Sequence, residues 1–291
     1  MISAEPLHFQ KPRVERLPAR KRMTIAIGIL ATDGIVIAAD REESDGYLKH
    51  DRGKIFQTFR GRTPTGSIAL TGAGDGPSLD GVCNLLANTF SAEHDIGSDA
   101  AEKALVDAHR KYYEETILPF SLQPQLERPD YSLVIGCVGG GLAGSRLFRT
   151  SKLGFNSSGD YEAVGVGESV ANTWLNKLYD RLPIRHAVKL AAYVIYQVKA
   201  SVGSCGLGTD IAIVRRDRIL EAATPGTVRK WEDAFRYYQT VERNVFHYCI
   251  GVDDTAQLGR TEIGRESITS QLDNLRKMFM PSIPQKSEGQ Q

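Results

Sequence analysis

The chain has 291 residues, is 41% hydrophobic and 24% charged, and sets Lys+Arg 36 against Asp+Glu 35 for a formal charge of +1. Such a composition suits one large globular domain or two small ones with a substantial core, and the near-zero charge excludes the broad basic field that draws nucleic acid or an anionic membrane. The first stretch, Met1 to Arg22, is rich in Pro, Arg and Lys and lacks both apolar periodicity and the apolar core of a signal peptide. Residues 1–23 are therefore read as a leader, or as a stretch upstream of the true start, that is disordered or removed. From Met23 to Asp40 the pattern is of two short apolar strands hinged at Asp33-Gly34, a dipeptide that favours tight antiparallel turns. Thr24 opens the first strand, Asp40 ends the second, and Lys54 follows shortly after in Gly53-Lys54-Ile55-Phe56. A hydroxyl, a carboxylate and an ammonium are thereby predicted to converge at one sheet edge.

Gly66 to Gly74 reads as a buried strand entering a glycine turn, and Pro77-Ser78-Leu79 starts a helix carrying Val82, Leu85, Leu86 and Phe90 at helical spacing. A second helix is predicted over 99–116. Strands follow at 131–138 and 142–150, joined by Gly139-Gly140-Gly141, and a further strand at 161–165 leads into helices over 168–179 and 184–199. Two more strands, 210–214 and 219–222, precede helices predicted over 231–247 and 266–280 and a polar tail at 281–291. Strand pairs separated by helix pairs argue against a doubly wound sheet, where single helices alternate with single strands. They suit two packed antiparallel sheets between two helical layers.

Cys83, Cys137, Cys205 and Cys249 are widely spaced, form no CxxC pair and mostly sit in apolar runs, as buried free thiols of a reducing compartment do. No apolar run approaches the length of a membrane span, so a cytoplasmic protein without membrane or nucleic-acid partners is expected. His8, His50, His94, His109, His186 and His247 show no ligand spacing, and no GxSxG, HExxH or P-loop appears; no metal and no cofactor is expected. The turn Gly72-Ala73-Gly74-Asp75-Gly76 could cradle a phosphate at a helix N-terminus, but it lacks GxGxxG spacing and a later acidic partner.

The segment Thr24 to Asp40 with Lys54 resembles the opening hairpin of catalytic subunits of the proteasome type, in the N-terminal nucleophile hydrolase superfamily. Those subunits begin with Thr and return through an Ala-Ala-Asp triplet, here Ala38-Ala39-Asp40. The resemblance covers roughly Thr24 to Ala222 and implies a four-layer αββα sandwich of two antiparallel sheets flanked by helices. It implies a threonine-dependent peptide or amide hydrolase. Thr24 would be the nucleophile, its α-amine the general base, Lys54 and Asp40 the tuning pair, and Gly72 the oxyanion donor. It further matches Ser204 to a serine of the family's later Asp-x-x-Ser-Gly element, and sets Glu43, Arg52, Leu70 and Gly74 around the pocket for the substrate side chain. Relatives stack into rings, which implies a homo-oligomer acting on peptide or protein substrates, with any ATPase partner unspecified.

The sequence departs from the family pattern in three places. Val166 stands where catalytic members carry a serine between two glycines, and Ser201 stands where they carry the aspartate of the later element. Ser169, Ser201 and Asp210 are the nearby groups that could substitute. Met23 precedes Thr24 where self-processing members have glycine; initiation at Met23 and its removal by an aminopeptidase would expose Thr24 without self-cleavage. A subunit that keeps the fold and ring-forming surfaces without activity is the alternative reading. The expected organisation is a leader over 1–23, the hydrolase-like domain over 24–222, a helical extension over 223–280 and the tail.

Overall fold

In the computed structural model the strands β1 (Ile25–Ala31) and β2 (Gly34–Asp40) are buried at every residue, as strands covered on both faces must be. Alternation explains this. Ile25, Ile27, Ile29, Val36 and Ala38 join an apolar cluster with helical residues, whereas Ala26, Leu30, Ile35, Ile37 and Ala39 join one with residues of a second sheet. At Gly28 a Cβ would come within 2.6 Å of Val134 and Leu147, so the absent side chain lets the two sheets approach. The structure describes residues 24–44, 48–60, 66–91, 99–122, 129–139, 144–152, 154–215, 220–249 and 265–279.

After β2 come a small hairpin of β3 (Glu42–Ser44) and β4 (Lys49–Asp51), then β5 (Ile55–Arg60) and β6 (Gly66–Gly74). The helices α1 (Gly76–Ser91) and α2 (Asp99–Tyr112) follow, then β7 (Tyr131–Gly139), β8 (Ser145–Ser151), β9 (Gly154–Ser158) and β10 (Tyr161–Gly165). Next are α3 (Glu168–Leu178), α4 (Ile184–Ser201), β11 (Thr209–Arg215), β12 (Leu220–Ala222), α5 (Pro225–Cys249) and α6 (Arg265–Phe279). One antiparallel sheet runs β10-β1-β2-β11-β12 and the other β5-β6-β7-β8-β9. Leu79, Val82, Leu86 and Leu105 of α1 and α2 pack on Ile68, Leu70 and Ile135 of the second sheet, and α3 and α4 cover the first. The layers are α, β, β, α, the architecture that the resemblance implies.

The helices α5 and α6 lie outside these layers, against α4. Phe235 of α5 stacks its ring 5.1 Å from Tyr193 of α4 and 5.5 Å from Phe279 of α6, and Lys189 of α4 donates to Phe279 O at 2.8 Å. The helix α5 starts six residues before the predicted 231, at Pro225, whose fixed φ suits a first helical turn. Thr224 caps it, its Oγ1 accepting from Thr227 N at 3.2 Å.

Some boundaries differ from the sequence reading. Ala31 pairs with Gly34, so the turn is Thr32–Asp33 rather than Asp33-Gly34. Asp33 Oδ1 instead accepts from Ile184 N at 2.8 Å, capping α4, while a Cβ at Gly34 would meet Val214 O at 2.2 Å. Glycine stands at 34 for close strand approach. The helix predicted to reach 116 ends at Tyr112 and continues as a π-helical turn, Tyr113–Ile117, and a 3-10 turn, Leu118–Leu122. The strands β3, β4, β5 and β9 were not expected. The predicted leader, the tail and most of the Gly139-Gly140-Gly141 connection lie outside the described residues.

Candidate active site

Pairing of β1 with β2 brings Thr24, just before β1, beside Asp40, the last residue of β2. The β3–β4 hairpin returns the chain so that Lys54, just before β5, arrives at the same edge. All three are buried: Asp40 is 0% exposed, Thr24 6% and Lys54 9%. Asp40 Oδ1 accepts from Thr24 Oγ1 at 3.2 Å, Ile25 N at 3.1 Å and Lys54 Nζ at 3.0 Å, and its Oδ2 accepts from Gly206 N at 3.2 Å. Lys54 Nζ also donates to Thr24 Oγ1 and to Glu42 O. An ammonium has three donors, and here three acceptors meet them. The Thr24 hydroxyl thus accepts from a cation while it donates to a carboxylate, and negative charge developing on Oγ1 would be stabilised by the ammonium beside it.

Backbone contacts hold this cluster from three elements. Thr71 Oγ1 on β6 donates to Lys54 O at 3.0 Å. Asp210 on β11 accepts from Lys54 N at 3.2 Å through Oδ2 and from Arg41 Nη1 at 2.8 Å through Oδ1. The Arg41 guanidinium is held above its ordinary pKa by its hydrogen bond to Asp51, then by the one to Asp210. Val166 N donates to Thr24 O at 3.0 Å from the turn after β10. Cys205, next to Gly206, is pushed up to about 12 by burial and then by the Asp40 charge, so its thiol stays protonated near neutrality.

Gly72 lies on β6 one residue beyond Thr71, with no room for a side chain: a Cβ would meet Ser132 O at 2.6 Å. Ser204 lies in the turn between α4 and β11, two residues before Gly206, and is not hydrogen-bonded to Thr24. Glu43 and Arg52 pair at 3.3 Å, and Arg52 forks onto Asp80 at 2.9 and 2.8 Å. Leu70 is 1% exposed within the cluster between the second sheet and α1–α2. Gly74 ends β6 at φ +125°, where a Cβ would sit 2.2 Å from Asp130 O. Of the possible substitutes, Asp210 touches Lys54 through its backbone, while Ser169 sits in the first turn of α3 and Ser201 ends α4 on the surface.

The sequence reading missed the Glu42 carbonyl, the Ile25 and Gly206 amides and the Arg41–Asp210 pair. The signal written in the sequence was the glycine pair Gly206 and Gly208 on either side of Leu207: a Cβ at Gly206 would lie 2.3 Å from Glu42 Oε2. Among the described residues, no group of three or more His, Cys, Asp or Glu side chains is placed to hold a metal ion. No described helix is long and apolar enough to cross a membrane.

The family model described as Proteasome subunit matches residues 21–214. The chain is similar to proteasome subunit beta 1 of Pyrobaculum calidifontis, with 31% identity over 205 residues, 67% of this chain and 91% of the relative. Its fold is similar to that of Anbu (ancestral beta-subunit) from Yersinia bercovieri, with TM-score 0.62 and 16% identity over 83% of this chain and 100% of the other. A structure described as a helical assembly of the Anbu complex from Pseudomonas aeruginosa matches with TM-score 0.59 and 18% identity, over 76% and 96%. The last two likenesses concern the fold.

Proposed function

The chain belongs to the proteasome subunit family, and from that premise we propose that it is a threonine-dependent peptide or amide hydrolase with Thr24 as nucleophile. The observation that carries the reading is the Thr24 hydroxyl set between the Lys54 ammonium and the Asp40 carboxylate in a buried cluster. With Thr24 as first residue, its α-amine takes the hydroxyl proton as Oγ1 attacks the substrate carbonyl. An unperturbed α-amine titrates near about 7.7–8.0, so a useful fraction is neutral at pH 7. Lys54 stabilises the charge on Oγ1, and the Gly72 amide is the proposed oxyanion donor. Collapse breaks the amide bond, the amine passes its proton to the leaving nitrogen, and water then hydrolyses the ester on Thr24 with the amine again as base.

Ser204 is proposed to support this cluster from the Gly206 turn. Glu43, Arg52, Leu70 and Gly74 are proposed to border the pocket for the substrate side chain. Residues 24–222 form the hydrolase-like domain in this reading and 223–280 a helical extension. The protein acts in the cytoplasm as a homo-oligomer, supported by the assembly described for the Pseudomonas aeruginosa relative.

The amine exists only when the Met23–Thr24 bond is cut, which initiation at Met23 followed by aminopeptidase trimming would achieve. The test uses protein whose intact mass begins at Thr24, assayed on a panel of fluorogenic peptide amides, beside Thr24→Ala. Hydrolysis by the first and background rates for the second are expected. Equal rates would rule out Thr24 as the nucleophile, and no hydrolysis by protein with a free Thr24 would leave the family's noncatalytic role in its place.

A further inference from the structure

Glu232 belongs to α5, outside the four layers, yet its carboxylate is tied to the turn that touches Asp40. Lys199, in the last turn of α4, donates from Nζ to Glu232 Oε1 at 2.6 Å, to Thr209 Oγ1 at 2.9 Å and to Leu207 O at 3.1 Å. Thr209 Oγ1 in turn donates to Glu232 Oε1 at 3.0 Å. The Lys199 and Glu232 side chains are 12% and 19% exposed, which limits the solvent screening that weakens surface pairs. What they hold, Leu207 and Thr209, lies just beyond Gly206 in the chain. Leu207 follows it directly at φ +55°, a conformation an L-residue keeps only when its surroundings hold it. Thr209 opens β11 opposite Asp40 in the strand register.

Gly206 N is the donor that occupies Asp40 Oδ2, and Asp40 Oδ1 is the atom that meets Thr24 and Lys54. Without the Gly206 donor the carboxylate is held through Oδ1 alone, by Thr24, Ile25 and Lys54, and can pivot about that oxygen, which changes the angle it presents to Thr24 and Lys54. We propose that Glu232 is a positioning residue: through Lys199 and Thr209, α5 fixes the turn 203–208 so that Gly206 keeps Asp40 aimed at Thr24 and Lys54. The effect on rate rests on Thr24 being the nucleophile; the link between α5 and Gly206 does not.

The experiment compares Glu232→Ala and Glu232→Gln in the full chain with Thr24 exposed. It reads amide hydrogen exchange at Gly206 together with kcat and KM for a fluorogenic peptide amide. Glu232→Ala is expected to speed Gly206 exchange and to lower kcat, each by about tenfold, with KM within about twofold. Glu232→Gln keeps an oxygen acceptor for both Lys199 and Thr209 and restores most of both. Wild-type exchange at Gly206 in Glu232→Ala overturns the proposal whatever the rate does, and so does faster exchange with an unchanged kcat. Absence of hydrolysis by the wild type defeats the hydrolase reading alone, and the exchange data still decide the link. If Glu232→Ala did not fold, Thr209→Val, which removes the hydroxyl and keeps the shape, is read in the same way.

Discussion

Asp40 is a carboxylate with no exposed surface, balanced by the Lys54 ammonium at 3.0 Å and hydrogen-bonded by the Thr24 hydroxyl and the two amides of Ile25 and Gly206. Removing one member of a buried pair strands the other charge, at a cost of about 3–5 kcal/mol. Lys54→Met is therefore expected to abolish hydrolysis and to destabilise the fold by about 3 kcal/mol, the low end because two amides remain. Adding Asp40→Asn to it should restore most of that stability and none of the activity. Urea unfolding of the two single variants and the double one measures the coupling, and a Lys54→Met loss below about 1 kcal/mol would show that the neutral donors, the Thr24 hydroxyl and the two amides, suffice. Thr24, Asp40 and Lys54 were legible in the sequence because one tight hairpin and its return loop join them, so spacing nearly determines contact. Gly206 was not, because a backbone amide has no side-chain signature and this one comes from 166 residues away.

At the scale of elements, β10 and the turn after it grip the start of β1. Ile25 pairs with Gly165, Val166 N binds Thr24 O, and Gly165 holds φ +112°. A Cβ at Gly165 would lie 2.1 Å from Thr24 O and 2.9 Å from the Ala73 Cβ. Gly165→Ala should cost about 1–3 kcal/mol in backbone strain alone, and the clash must also displace Thr24. A lowered melting temperature with at least about a tenfold fall in kcat is expected, and a variant that melts lower yet turns over at the wild-type rate would show that Thr24 tolerates the shift. Val166, which stands where catalytic members carry a serine, thus serves Thr24 through its backbone amide while the residue is 47% exposed. The long strands were legible from their apolar runs. The strands β3 and β4 were not, since Glu42-Glu43-Ser44 and Lys49-His50-Asp51 carry no apolar alternation. Their pairing shows only in the fold, where Lys49 meets Glu42 diagonally across the strands at 2.8 Å.

Across the whole molecule the layer order was legible, since paired strands between paired helices admit few packings, whereas the seat of α5 and α6 against α4 was not. A helix as apolar as α4 shows no sequence difference between a face covered by a sheet and one covered by another helix. The opposite helical layer contains a group that ties global stability to pH. His109 of α2 is 1% exposed, packs edge-on to Tyr131 and Phe155, and its Nε2 has no hydrogen-bond partner among the described residues. Burial lowers it from 6.5 to about 4. Between those values the unfolded chain binds a proton that the native one refuses, so stability falls as pH drops through 6.5 and the loss is complete only below 4. By linkage the loss from pH 7 to pH 4.5 is about 2–3 kcal/mol. Carboxylates also respond in this range, but they do so equally in a His109→Met variant, so the difference between the two proteins isolates the histidine. Denaturant unfolding of both should show the wild type losing about 2–3 kcal/mol relative to the variant over that interval. Parallel stability curves would mean that His109 takes up its proton in the folded protein as readily as in the unfolded one.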